Sequence, residues 1–117
     1  MSTPTHVLQV ALAEAQAKRP PPDNLAVPIL RCGDMDVEFY APVGRDPQTP
    51  HSRDELYVIA SGTGWFHCGE QRQALKAGTL LFVPAGRSHH FADFSTDFSA
   101  WVMFFGPEGG SAKVTLE

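Results

Sequence analysis

The stretch Gly78-Thr79-Leu80-Leu81-Phe82-Val83-Pro84-Ala85-Gly86-Arg87-Ser88-His89-His90-Phe91-Ala92-Asp93 decides the fold. An apolar run runs into Pro84-Ala85-Gly86, where the chain must turn, and a second run begins at His89, so the unit reads strand, tight turn, strand. Side chains alternate between the faces of a strand, which predicts an inward set of His89, Phe91 and Asp93 and an outward His90.

The same punctuation extends to both sides. Short β-branched and aromatic runs at 25–31, 35–41, 55–60, 64–68, 71–75, 79–83, 88–93 and 98–105 are separated by Cys32-Gly33-Asp34, Ser61-Gly62-Thr63, Gly69-Glu70 and Ala77-Gly78. Strands this closely spaced leave no room for crossover helices, so the reading is an all-β, mainly antiparallel sandwich or barrel over residues 25–105. Upstream, residues 4–18 are Ala-rich with apolar positions at Leu8, Ala11, Leu12 and Ala15, and Thr3-Pro4 offers an N-cap and first helical position, predicting one short helix. Pro20-Pro21-Pro22 ends that helix, Asp23-Asn24 is turn chemistry, and residues 1–24 form a helix and linker ahead of the barrel. Residues 106–117, rich in Gly and small side chains, read as a loose tail.

Composition agrees with a single domain. The chain has 117 residues, 43% hydrophobic and 19% charged, with net charge −4, enough apolar material for a core. Its basic residues are scattered singly, so no footprint for nucleic acid or an anionic membrane can be drawn. The apolar stretch from Val7 to Ala17 is broken by Gln9, Glu14 and Gln16, fitting neither a signal peptide nor a membrane span. Cys32 and Cys68 give no disulfide framework, and the chain reads as a soluble cytoplasmic protein with two reduced thiols.

A second polar stretch, Thr49-Pro50-His51-Ser52-Arg53-Asp54-Glu55, precedes the strand at 55–60. If extended, it puts Thr49, His51, Arg53 and Glu55 on one face, where His51 and Glu55 converge; Tyr57 follows on the same face and either walls a pocket or packs in the core. Arg53 either clamps a carboxylate or phosphate or pairs with the neighbouring Asp54 and Glu55. Asp34, Asp36 and Glu38, alternating with Met35, Val37 and Phe39, read as the solvent face of a half-buried strand. His67 reads as an exposed or satisfied histidine. Ser88 lacks the strand-elbow-helix setting of a hydrolase nucleophile.

The two polar stretches together resemble the paired motifs of the cupin superfamily, G-x(5)-H-x-H-x(3,4)-E-x(6)-G and G-x(5)-P-x-G-x(2)-H-x(3)-N. Gly78, Pro84, Gly86 and His89 match the second without a gap; His51, Glu55 and Gly62 match the end of the first, with Gly44 one residue short of its spacing. Thr49 stands where the first histidine is expected and Asp93 where the second motif ends in asparagine. The resemblance implies a jelly-roll β-barrel with the N-terminal helix outside and a site within, lined by Thr49, His51, Glu55, Tyr57, His89, Phe91 and Arg53. It implies one divalent metal on His51, Glu55 and His89, with Gln48 or Thr49 as a fourth ligand. Two imidazoles and a carboxylate suit Fe(II) and also serve Mn, Zn, Ni or Co; a hydrogen-bonded polar cluster without metal is the alternative.

Two functions follow as expectations: a metal-dependent enzyme, dioxygenase- or isomerase-like, on a small organic molecule, with Tyr57 or Arg53 orienting substrate, or a non-catalytic module that binds or senses a small ligand. The last strand, Phe98 to Phe105, is apolar on both faces from Ala100 onward and needs cover from the helix or a second subunit, which favours a homodimer.

Overall fold

The computed structural model describes residues 6–22 and 25–117. One helix, α1 (Leu12–Ala17), precedes eight strands: β1 (Val27–Cys32), β2 (Met35–Tyr40), β3 (Asp54–Ser61), β4 (Thr63–Cys68), β5 (Gln71–Lys76), β6 (Leu80–Val83), β7 (His89–Ala92) and β8 (Ser99–Phe105). They form a five-stranded sheet in the order β1-β2-β8-β3-β6 and a three-stranded sheet in the order β5-β4-β7, with antiparallel pairing throughout. Each strand lies within two residues of its expected limits.

The sheets close on one apolar core. Tyr57, Ile59, Phe66, Leu75, Val83, Phe91, Phe98, Ala100 and Val102 point into it. Phe91 contacts Tyr57, Phe66 and Phe98 with ring centroids 5.0, 5.6 and 5.0 Å away, so the motif strand β7 is anchored by aromatic packing across both sheets. Gly62, in the turn between β3 and β4, has φ +79°, and a methyl there would lie 2.5 Å from Ser95 Oγ and 2.7 Å from the Phe98 Cα. Only glycine fits.

The helix is shorter than 4–18. Of its expected turns, residues 6–11 are not helical, and Val7 and Leu8 are exposed; Thr3-Pro4 and Asp23-Asn24 lie outside the described residues. A helix this short holds only where it packs. Leu12 and Ala15 do pack, in a second cluster with Val27, Ile29, Phe39, Ala60 and Trp101 on the outside of the larger sheet, and Glu14 Oε1 accepts the Ala11 N–H at 3.2 Å to close the first turn.

That outer cluster reverses the expected polarity of β2. Phe39 is buried beneath the helix at 5.1 Å from the Trp101 ring, so the odd residues of β2 face outward and Asp36, Glu38 and Tyr40 face the barrel. The acidic face read as solvent-facing is turned inward because the larger sheet has an apolar exterior as well as an apolar interior.

Candidate metal centre

Three elements bring the polar motif residues to one end of the barrel. Glu55 stands on β3, opposite Val83 of β6 and Phe104 of β8, and is buried. His89 opens β7 directly after the Pro84–Ser88 turn and is also buried. His51 comes from irregular chain before β3, held by the Gly86 N–H, which donates to its carbonyl at 2.7 Å, and by Phe104, whose ring lies 4.6 Å from the imidazole. One ligand atom from each of His51, Glu55 and His89 lies within 4.8 Å of the others. His89 Nε2 is 3.1 Å from Glu55 Oε1, and His51 Nε2 is 3.8 Å from Glu55 Oε2.

The donor chemistry of this group fits a cation. His89 Nδ1 lies 2.8 Å from the Arg87 carbonyl oxygen, which can only accept, so the Nδ1–H donates there. In the neutral ring Nε2 is then a lone pair facing the carboxylate. Glu55 Oε1 is buried without a hydrogen-bond donor. Two acceptors 3.1 Å apart in an apolar surround need a positive charge, either a proton on His89 or a metal ion. Burial disfavours the imidazolium, but Glu55 and the Arg87 carbonyl outweigh it, and the His89 pKa is raised. The Nδ1 bond to a backbone carbonyl is also the usual way a ligating histidine is oriented.

Beside the ligand group lies a cavity of about 280 Å³, lined by Glu38, Tyr40, Gln48, His51, Glu55, Tyr57 and Phe104, with Leu25, Ala26 and Val102. Tyr57 is fully buried; its hydroxyl donates to Gln48 Oε1 at 2.9 Å and lies 3.2 Å from His89 Nε2. Both alternatives for Tyr57 hold, since the ring packs in the core and the hydroxyl reaches the site. Burial and the neighbouring Glu55 charge raise its pKa well above the ordinary tyrosine value.

Sequence reasoning missed the rest of the polar lining. Asp46 accepts from the Phe91 N–H at 2.8 Å, from the Tyr40 hydroxyl and from the Gln48 amide, and so ties the 41–53 segment to β7 and aims Gln48 at Tyr57. Glu38 lines the cavity half-buried, its pKa raised by burial and by Asp36 and Glu55. The signal available was the spacing Glu38-x-Tyr40, a period of two shared with Asp36.

Other residues fall elsewhere. The alternation expected over 49–55 fails, because the strand begins at Asp54. Thr49 is exposed. Arg53 turns away from the cavity: its guanidinium bonds Asp36 Oδ2 at 2.6 Å and the Asp34 carbonyl, so its ion pair is with β2 rather than with Asp54 or Glu55. Asp93 is exposed with φ +49°, one residue past the end of β7, so it does not extend the inward face. His90 is exposed and lies against His67, ring centroids 4.8 Å apart. Cys32 and Cys68 are both free thiols.

Asp54, next to Glu55, faces outward yet is buried. Its carboxylate accepts the Ala85 N–H at 3.1 Å and the Ser111 N–H at 3.0 Å, the backbone donor of Ser111 contributing most to a lowered pKa. The Gly109 N–H donates to the Ser52 carbonyl at 2.7 Å, and a methyl on Gly110 would lie 2.8 Å from Asp54 Oδ1. The first part of the tail is thereby bonded to the segment that carries His51.

Residues 37–105 match the family model of the cupin domain, and the chain belongs to the cupin family. An uncharacterized protein of Streptomyces coelicolor is 35% identical over 99 residues, covering 83% of this chain and 94% of that protein. A cupin 2 conserved barrel domain protein of Salinispora arenicola superposes with a TM-score of 0.65 at 13% identity, over 86% of this chain and 91% of that one. The DMSP lyase DddQ of Ruegeria pomeroyi is 26% identical with a TM-score of 0.52, over 62% of this chain and 37% of the lyase.

Proposed function

We propose that this cupin is a metal-dependent enzyme acting on a small organic molecule, with one divalent transition metal on His51, Glu55 and His89. The donorless Glu55 Oε1, 3.1 Å from the Nε2 lone pair of His89, carries the reading. A bound cation would supply Lewis acidity, polarising an oxygen of the substrate. Iron, manganese, nickel, cobalt and zinc all accept this ligand set, and iron would direct the chemistry toward a dioxygenase, the others toward isomerisation or elimination. Gln48 is the better of the two fourth-ligand candidates, since its amide lines the cavity while Thr49 is exposed.

The protein's own groups supply the rest. Tyr57 keeps its proton, because burial and Glu55 both oppose the phenolate, and through it holds the Gln48 amide oxygen in place beside the ligands. Phe104, Val102 and the Tyr57 ring give the cavity an apolar side. Arg53 is left out of the substrate-orienting set, since its guanidinium is paired with Asp36 and does not line the cavity.

A non-catalytic binding or sensing module is the second reading. The bonds that lock Tyr57 to Gln48 and Gln48 to Asp46 favour it, because they leave those groups rigid and already partnered.

The reading also takes the chain to be cytoplasmic and homodimeric; no helix among the described residues is long and apolar enough to cross a membrane. Val37, Met103, Leu56 and Phe82 lie side by side across the outer face of the larger sheet, each half-exposed, and α1 covers only the neighbouring Phe39–Trp101 row. A second copy on that face would remove the strip from water. Light scattering should give twice the chain mass, and the Met103→Lys variant half that value.

Inductively coupled plasma mass spectrometry of purified protein is the deciding test. Near one equivalent of a single transition metal, absent from the His51→Ala/His89→Ala double variant, is expected; no metal after anaerobic reconstitution overturns the metal enzyme. Turnover lost in Glu55→Ala with the fold intact separates the enzyme from the binding module.

A further inference from the structure

The cavity wall is rich in acceptors and short of donors. The Tyr40 hydroxyl is given to Asp46, the Tyr57 hydroxyl to Gln48 and one Gln48 amide hydrogen to Asp46. No Lys or Arg among the described residues lines the cavity. The arginines beside β2 are already spent on Asp36, Arg31 at 2.5 Å and Arg53 at 2.6 Å. A phosphate or carboxylate entering here would meet no guanidinium or ammonium group, only the His51 ring and the second Gln48 amide hydrogen as side-chain donors.

Glu38 is the opposite case. It lines the cavity, half-buried, outside the ligand group, with no hydrogen bond from any described residue and with Asp36 and Glu55 as like-charged neighbours. The rings of Tyr40, Tyr57 and Phe104 line the same cavity, the two tyrosines buried with their hydroxyls engaged and Phe104 partly exposed. A carboxylate without a partner beside aromatic rings is the chemistry that holds an organic cation.

We propose that Glu38 and the rings of Tyr40 and Phe104 recognise the positively charged end of a small organic cation of the substituted-ammonium class. The inference rests on the same cavity as the proposed enzyme and names its substrate class: the cationic end sits on Glu38 and the other end points toward His51, Glu55 and His89.

Choline and its uncharged isostere 3,3-dimethylbutan-1-ol, with 3,3-dimethylbutanoate as the anion, form a matched probe set for titration by two-dimensional amide NMR. Choline is expected to shift the Glu38 and Tyr40 resonances saturably and to bind at least tenfold more tightly than the isostere, with an affinity that falls as salt is added. Glu38→Gln should bring choline down to the isostere's level without altering metal content or resonances remote from the cavity. Equal binding of choline and either other probe, no saturable shift with choline, or unchanged choline affinity in Glu38→Gln overturns the proposal. Metal content measured on the same samples keeps the two readings apart: metal-free protein that still prefers choline retains this inference and sinks the metal enzyme, while metal-loaded protein without the preference does the reverse.

Discussion

The two halves of the site are built differently. The ligand wall, His51, Glu55 and His89, hangs on strand ends and on a turn whose backbone bonds fix each side chain. The remaining polar lining, Glu38, Tyr40 and Gln48, depends on β2, two strands from β3 in the same sheet, and on a single carboxylate, Asp46, that gathers the 41–53 segment. Glu55, His89, Glu38 and Tyr40 lie on strands, where a period of two can be read, whereas Asp46 and Gln48 lie on irregular chain and are placed by side-chain bonds that display no spacing.

Removing a ligand should break the contrast most sharply. Glu55→Ala is expected to lower metal affinity by about a hundredfold or more, given that losing even an outer partner of a metal ligand costs roughly 10- to 100-fold; metal-binding titration checks it. Asp46→Ala tests whether the remaining polar lining stands on one residue. It removes the acceptor for Phe91, Tyr40 and Gln48 together and should cost about 3 kcal/mol in urea unfolding, since bonds to charged groups contribute roughly 1.5–3 kcal/mol each and part is recovered through water.

Asp54→Ala probes the ligand wall from behind. Loss of the Ala85 and Ser111 bonds should cost about 2 kcal/mol near neutral pH. The folded-state pKa of Asp54 is depressed, so its contribution is complete above the ordinary carboxylate value near 4 and is lost as pH falls through the depressed value. The stability gap between wild type and Asp54→Ala should therefore narrow on acidification; a gap constant from pH 7 to 2 would contradict the assignment. Arg53→Ala should do least, under about 1 kcal/mol, with metal content unchanged, because its ion pair lies outside the cavity.

Much of the barrel was legible in the sequence because all eight strands are short, bounded by Gly, Pro or Asp, and patterned for antiparallel pairing. The convergence of His51, Glu55 and His89 was legible too, although for His51 through a mistaken route: the residue arrives on irregular chain held by Gly86 and Phe104, not on an extension of β3. Glu38 was misread because alternation reports two faces without saying which is inside. Phe39 looked like the core face of β2, and it is buried, but beneath α1 on the outside of the sheet. Asp46 and Gln48 could not be read at all, since their positions follow from the conformation of a segment without regular structure. Arg53 was weighed as an anion clamp or a partner of Asp54 and Glu55, and its actual partner, Asp36, is 17 residues away on another strand.

The backbone bonds around Asp54 and His51 link three separate lengths of chain: the segment before β3, the turn after β6 and the residues after β8. The Gly86 N–H serves the His51 carbonyl, the Ala85 and Ser111 N–H groups serve Asp54, and the Gly109 N–H serves Ser52. Deuterium uptake at these four amides should accordingly proceed at a common opening rate, slower than at the exposed residues 112–117, and a loaded metal should slow all four together although none of them touches it.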